Sequence, residues 1–166
     1  MDKFALTKLS YGMYAIGAKD AQKRFCGCIA NSLMQITAEP ATVALSINHD
    51  NYTNQCIKDT KEFSVNILPE KINPLIIGTF GFRSARDIDK FANIKYKTIN
   101  NLPVCEEACA YLICKLINTL ETNTHTIFLA SVEDCEILND NAPMSYAYYH
   151  NVIKGKSPKT APTYVG

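Results

Sequence analysis

The run Ala41–Asn48 alternates, with Val43, Leu45 and Ile47 on one side and Thr42, Ala44 and Ser46 on the other. Alternation over eight residues specifies a strand with one buried face. Pro40 stands just outside its start, where a missing N–H breaks no ladder. Residues 63–68 alternate again and stop at Pro69. Residues 112–117 and 126–132 read as further strands. Two apolar runs, 11–18 and 26–32, flank the charged stretch 19–24 and read as a hairpin. Residues 51–61 have a helical look, with Asn51 and Thr53 as candidate N-caps. Pro74–Phe82 reads as a short helix cut off by Gly81. Many short strands, few helices and no βαβ rhythm predict a mainly β (α+β) chain, an antiparallel barrel or a related α+β fold. Residues 154–166 are rich in Pro, Lys and Thr and read as a linker or extended arm.

A chain of 166 residues is expected to form one domain. With 47% hydrophobic and 20% charged residues it carries the material for a core, and global disorder is excluded. Seventeen Lys and Arg against sixteen Asp and Glu leave a net charge of +1. No basic excess matches a phosphate backbone, so nucleic acid is not an expected partner. No apolar stretch nears the ~20 residues of a membrane helix. The start, Met1-Asp2-Lys3-Phe4, lacks the apolar region of a signal peptide. The expectation is a soluble cytoplasmic protein with neither a membrane nor a nucleic acid as partner.

Seven cysteines stand at 26, 28, 56, 105, 109, 114 and 135. An odd number without a secretory leader argues against a disulfide framework. No C-x-x-C pair exists, and only His49, His125 and His150 would assist a metal. Reduced, mostly buried thiols are expected, with no metal site.

No G-x-G-x-x-G, P-loop, H-E-x-x-H or EF-hand loop is present. A Cys–His nucleophile pair has no local signature. What remains is small polar residues gathered at strand ends. Ala30-Asn31-Ser32 has Gln35 and Thr37 behind it, Ser46 and Asn48 precede Asn51-Tyr52-Thr53, and residues 79–87 form a third loop with Arg83 and Arg86. A phosphorylated heterocycle requires amide groups for a planar ring edge, hydroxyls or a helix N-terminus for phosphate, and a cation, usually Arg, for its charge. These segments contain all three. Turns also use Asn, Ser and Thr for their own reasons, and residue types alone leave both readings open.

The order of the segments adds to this. Residues 27–48 resemble the FMN-binding split-barrel flavin reductases, in which small and hydroxyl residues lead into a loop ending in Pro and then a strand of core aliphatics. Phe63-Ser64-Val65-Asn66-Ile67-Leu68 resembles that family's F-x-V-N-I/V-L strand. Residues 81–91 resemble its G-R-D-x-x-K-F loop, with Ala85 where Gly is common. Residues 124–132 resemble its D-H-T-I-F-x-G-x-V strand, with Asn123 and Thr124 for the acidic lead-in and Ala130 for Gly. Residues 143–150, with Lys154-Gly155-Lys156 and 158–164, look like the end of the flavin domain in flavoredoxin-like proteins and high-molecular-weight rubredoxins. The paired cysteines of a rubredoxin domain are missing, so any iron centre is expected in another protein.

The resemblance implies a six-stranded antiparallel Greek-key split barrel with short flanking helices over residues 1–153, followed by the tail 154–166. It implies a homodimer with FMN near the interface. Ala30, Asn31 and Ser32 would meet the isoalloxazine edge. Ser46, Asn48, Asn51, Tyr52 and Thr53 would approach the ribityl chain and phosphate. Arg83 would neutralise the phosphate, and Arg83→Ala would weaken binding by about 1–3 kcal/mol. Gln35 and Thr37 are lesser candidates. His125 is a candidate substrate-site residue, although a strand-end histidine needs no function. Tyr146, Tyr148 and Tyr149 alternate as a strand or arm would, and would cover either the flavin or the dimer interface. The implied activity is an oxidoreductase that takes reducing equivalents from NAD(P)H and gives them to free flavin, a ferric complex or a rubredoxin-like protein. No catalytic residue is needed where the cofactor carries the chemistry. The alternatives are an electron-transfer FMN protein reduced only by a protein partner, and a barrel that has lost FMN.

Overall fold

The computed structural model describes residues 1–164. After a 3-10 helix over Lys3–Lys8 come β1 (Tyr14–Lys19), β2 (Phe25–Ala30), β3 (Leu33–Ala38), β4 (Ala41–Asn48), α1 (Tyr52–Thr60) and β5 (Glu62–Ile67). There follow α2 (Pro74–Phe82), β6 (Tyr96–Ile99), β7 (Leu102–Cys105), β8 (Ala110–Glu121), β9 (His125–Ile137) and α3 (Tyr146–Asn151). One antiparallel sheet has the order β2-β1-β5-β8-β9-β4-β3, and β6-β7 form a separate ribbon.

The sheet rolls up. Four strands lie between β2 and β4 in hydrogen-bond order, yet Cys26, Cys28 and Ala30 share one core with Val43, Leu45 and Ile47. Phe63 and Phe128 lie fully buried in that core, each contributing about 1.5–3 kcal/mol of burial energy. Alternation sends neighbouring residues to different cores: Ile16 enters the barrel, whereas Ala15 packs outside it with Ile76, Phe80, Phe91 and Met144 beneath α2 and α3.

Local chemistry explains the joints. At the β1–β2 turn, Asp20 accepts from the Gln22 and Arg24 backbone N–H groups, each at 2.9 Å, and from Arg24 Nε at 2.7 Å. Lys23 takes a left-handed φ of 65° in this turn. Asn51 caps α1 by accepting from Thr53 N at 3.0 Å, and Lys61 closes it at φ 62°. Asn73 caps α2, with Pro74 in its first turn. Lys90 reaches back to donate to Gly27 O at 2.7 Å and Phe80 O at 3.0 Å, tying the end of α2 to β2. Burial pulls the Lys90 pKa down.

The structure departs from the sequence expectations in four places. The sheet has seven strands, not six, because Leu33–Ala38 is a strand rather than a loop. It is an edge strand exposing Met34 and Ile36, so its apolar residues carry no buried-face pattern. The β6–β7 hairpin turns through Asn100 and Asn101, both at positive φ, a two-residue signal that Asn permits. β8 and β9 run to Glu121 and Ile137, because backbone pairing continues where the outer halves face solvent. Tyr146–Asn151 is a helix capped by Ser145, not an alternating strand or arm.

Among the described residues no helix is long and apolar enough to cross a membrane. All seven cysteines are free and six are buried, Cys135 being exposed. No group of three or more His, Cys, Asp or Glu among the described residues could hold a metal ion.

Candidate functional site: a cleft between the barrel and the C-terminal segment

A narrow cleft, partly open to solvent, lies where the ends of β2 and β4 meet the start of α1. Its polar wall is Asn31, Ser46, Asn48 and Asn51. Met13, Ile29, Ala30, Ile47, Ile77 and Phe82 supply an apolar floor. Tyr146 and Tyr149 of α3, with Lys156, Ser157, Pro158 and Thr160–Pro162, form the far side.

The wall is built by register. Ser46 and Asn48 share one face of β4, and Ser46 N donates to Ser32 O at 2.9 Å, which joins the β2 exit to β4. Ser32 Oγ donates to Asn31 Oδ1 at 3.0 Å and so orients the Asn31 amide, whose Nδ2 donates to Thr163 Oγ1 at 2.7 Å. Asn48 Oδ1 accepts from Asp50 N at 2.9 Å, and its Nδ2 has no protein acceptor among the described residues. Asn51, the N-cap of α1, lines the cleft, and no acidic residue occupies that helix's first turn.

The cleft therefore gathers Ala30, Asn31, Ser46, Asn48 and Asn51 from the residues expected at a site, with Ser32 bonded directly behind them. Other candidates lie elsewhere. Tyr52 OH donates to Asp20 Oδ2 at 3.4 Å, and the Arg86 guanidinium lies 5.2 Å from its ring centroid, so the tyrosine faces the β1–β2 turn. Thr53 is buried, its hydroxyl against the Cys28 thiol, which burial pushes up in pKa. Gln35 and Thr37 bond to each other and to the β3–β4 turn on the exposed edge strand. Arg83 is exposed and lines a second cleft with Leu75, Thr79, Asp89 and Asn93.

His125 pairs with Asn48 in the ladder. Its Nδ1 meets Thr124 Oγ1 at 2.8 Å, while its buried Nε2 has no hydrogen-bond partner among the described residues. Burial pulls its pKa down, although the Thr160 main chain beside it favours the charged ring. The ring thus sits behind the wall, flanked by two residues that line the cleft.

Sequence reasoning named Ala30 and offered Tyr146 and Tyr149 as a cover for flavin or a dimer interface, but it missed Met13, Ile77 and Phe82 of the floor and the tail's part of the far side. Residues 154–164 fold back, and none of them is buried. A directional chain of hydrogen bonds holds them. Asn31 Nδ2 donates to Thr163 Oγ1, which donates to Tyr146 OH at 3.0 Å. Tyr146 OH bonds Ser157 Oγ, which donates to His150 Nε2 at 3.2 Å, and His150 Nδ1 donates to Gly155 O at 2.9 Å. No local pattern in a Pro- and Thr-rich tail announces such pairing.

Chemically, the cleft offers an apolar slot with amide and hydroxyl groups on one rim and no carboxylate among its described lining residues. That suits a planar heterocycle bearing a polar or anionic chain. The comparisons with known proteins agree. A family model described as a flavin reductase like domain matches residues 6–156. The high molecular weight rubredoxin of Moorella thermoacetica is 44% identical over 166 residues, covering 99% of this chain and 72% of that protein. The ferric-chelate reductase (NAD(P)H) of Archaeoglobus fulgidus is 36% identical over 166 residues, covering 99% and 98%. Flavoredoxin from Methanosarcina acetivorans superposes with a TM-score of 0.69 at 18% identity, covering 81% of this chain and 74% of its own. With a rolled antiparallel sheet and a family match over nearly its whole length, this chain belongs to the flavin reductase-like domain family.

Proposed function

We propose that this protein binds FMN in the cleft and passes reducing equivalents from NAD(P)H to an acceptor such as free flavin, a ferric complex or a rubredoxin-like protein. The observation that carries this is the pairing of an apolar slot with the Asn31, Ser46, Asn48 and Asn51 rim. Ala30, Asn31 and Ser32 meet the ring edge in this reading, and Ser46, Asn48 and Asn51 take the ribityl chain and phosphate. Flavin supplies the hydride-accepting and electron-releasing chemistry when bound, so the chain needs only to bind, orient and shield. His125, whose pKa burial lowers, pairs with Asn48 of the rim in the ladder and stands as a substrate-side residue in this reading.

A homodimer belongs to the same reading. Met34, Ala44, Leu129, Ile127 and Leu120 lie on the outer face of the sheet, in register with or next to Ser46. Met34 and Leu120 are each 63% exposed. An apolar face on an edge strand is what a second copy covers, and it runs up to the cleft. The reducing cytoplasm suits seven free thiols.

One observation favours a second reading. Tyr146 with Lys156, Ser157, Pro158 and Thr160–Pro162 already lines the side of the cleft opposite the rim. A covered flavin would trade electrons with a protein partner and stay inert to NAD(P)H. An anaerobic NADH titration of FMN-loaded protein, followed by flavin absorbance, tests both. Bleaching is the expected result. Flavin left oxidised by NADH and NADPH but reduced by dithionite would establish the carrier, and protein that stays colourless with FMN would overturn both.

A further inference from the structure

A ligand carrying a phosphate dianion requires a cation near it, and the arginine expected to supply one is elsewhere. Arg83 lines the second cleft, on the Leu75–Gly78–Thr79 side of α2. Among the described residues lining the first cleft, Lys156 is the one charged residue. We infer that Lys156, carried by the C-terminal segment, pairs with the phosphate of the bound ligand, so that this segment is a strap that closes over anionic ligands. The inference rests on the flavin-binding reading above and adds a residue to it.

The geometry around Lys156 is built. Gly155 N donates to Tyr149 O at 3.0 Å, and Tyr149 OH donates to Lys156 O at 3.2 Å. His150 holds Gly155 O with one ring nitrogen and accepts from Ser157 with the other, so the residues on both sides of Lys156 are fixed to α3. Gly155 permits this approach: a Cβ there would lie 2.0 Å from the Tyr149 ring. At its far end the strap bonds through Thr163 to Asn31 on the opposite wall. The whole segment 154–164 buries no residue. Hydrogen bonds and half-buried contacts, such as Gly155 against the Tyr149 ring, pin it, and few buried contacts mean easy local opening. A dianion between Lys156 and the rim adds a charge-assisted contact that only the closed strap makes. Asn51, the N-cap of α1, lines the same cleft, and a helix N-terminus favours negative charge near it.

FMN and riboflavin differ by the phosphate alone and make the test. Dissociation constants are measured by flavin fluorescence for the parent, Lys156→Met and Arg83→Ala. Hydrogen exchange of the strap amides, which needs no catalysis, is followed with each ligand. Lys156→Met is expected to weaken FMN about tenfold, with riboflavin changed less than about twofold. Arg83→Ala is expected to leave both constants near the parent's. FMN is expected to slow strap exchange in the parent and not in Lys156→Met, and riboflavin in neither. Equal losses for both ligands in Lys156→Met, unchanged FMN binding, or a selective FMN loss in Arg83→Ala would overturn the assignment to Lys156. A parent that binds neither ligand would instead overturn the flavin reading itself.

Discussion

The barrel wall and the C-terminal strap face each other across one cleft and are held by different physics. The wall rests on strands whose inward residues, Ile16, Leu45, Phe63 and Phe128, are fully buried. The strap has no buried residue and is held by a chain of hydroxyl, imidazole and amide hydrogen bonds. Burial is non-directional and sums over a cooperative core, so the wall opens only with the fold. A row of exposed hydrogen bonds, each with a net contribution of about 0.5–1.5 kcal/mol, releases locally. One side of the site is therefore preformed and the other adjustable.

The largest expected effect lies in the wall. Phe128→Ala should lower unfolding free energy by about 3–5 kcal/mol, read by urea denaturation. Strap exchange should stay near the parent's in conditions where the variant remains folded.

The two regions also crowd glycines in contrasting ways. A Cβ at Gly27 would lie 2.4 Å from the Ile16 carbonyl oxygen and 2.7 Å from the Phe80 ring, inside the barrel wall. Gly27→Ala should lower stability by about 1–3 kcal/mol, because backbone cannot step aside. Gly155→Ala meets only the Tyr149 ring and a segment free to swing. It should leave the melting temperature close to the parent's while speeding strap exchange. A large melting-temperature loss in Gly155→Ala would mean that the strap is part of the cooperative core.

Tyr146→Phe removes one hydroxyl that bonds both Ser157 and Thr163. It should loosen the strap by about 1 kcal/mol, seen as faster amide exchange of residues 155–163 with global stability little changed.

Acid gives the smallest and most local effect. Against the penalty of its burial, hydrogen bonds and charge from Arg24 hold the Asp20 carboxyl below the usual aspartate range. A depressed pKa adds stability above the ordinary value of about 3.9, and that stability is lost as pH falls toward and through the folded value. Asp20→Asn should be less stable than the parent at neutral pH and should flatten the acid side of the stability profile.

Legibility from sequence followed the same division. Ala41–Asn48 was readable to the residue, because a one-sided strand prints its burial as alternation. Pro74–Phe82 was readable from its ends. β3 was not, because an edge strand with Met34 and Ile36 exposed has no buried face to print. Of the site, Ala30, Asn31, Ser46, Asn48 and Asn51 could be named from small polar residues at strand ends and from the order of four motifs. Met13, Ile77, Phe82 and Lys156 could not, since they come together from distant parts of the chain. Tyr52 and Thr53 mark the limit of motif transfer. They are neighbours of Asn51, but helical geometry turns one to Asp20 and the other to Cys28.

By itself, the sequence determined that Ala41–Asn48 is a strand, where α1 and α2 begin and which family the chain resembles, because periodicity, capping and motif order are local and survive without coordinates. The tertiary structure decided which arginine or lysine stands near the cleft, where the tyrosines of α3 point, and that the tail returns to Asn31. Those depend on contacts between residues as far apart as Asn31 and Thr163, and only the folded chain sets such distances.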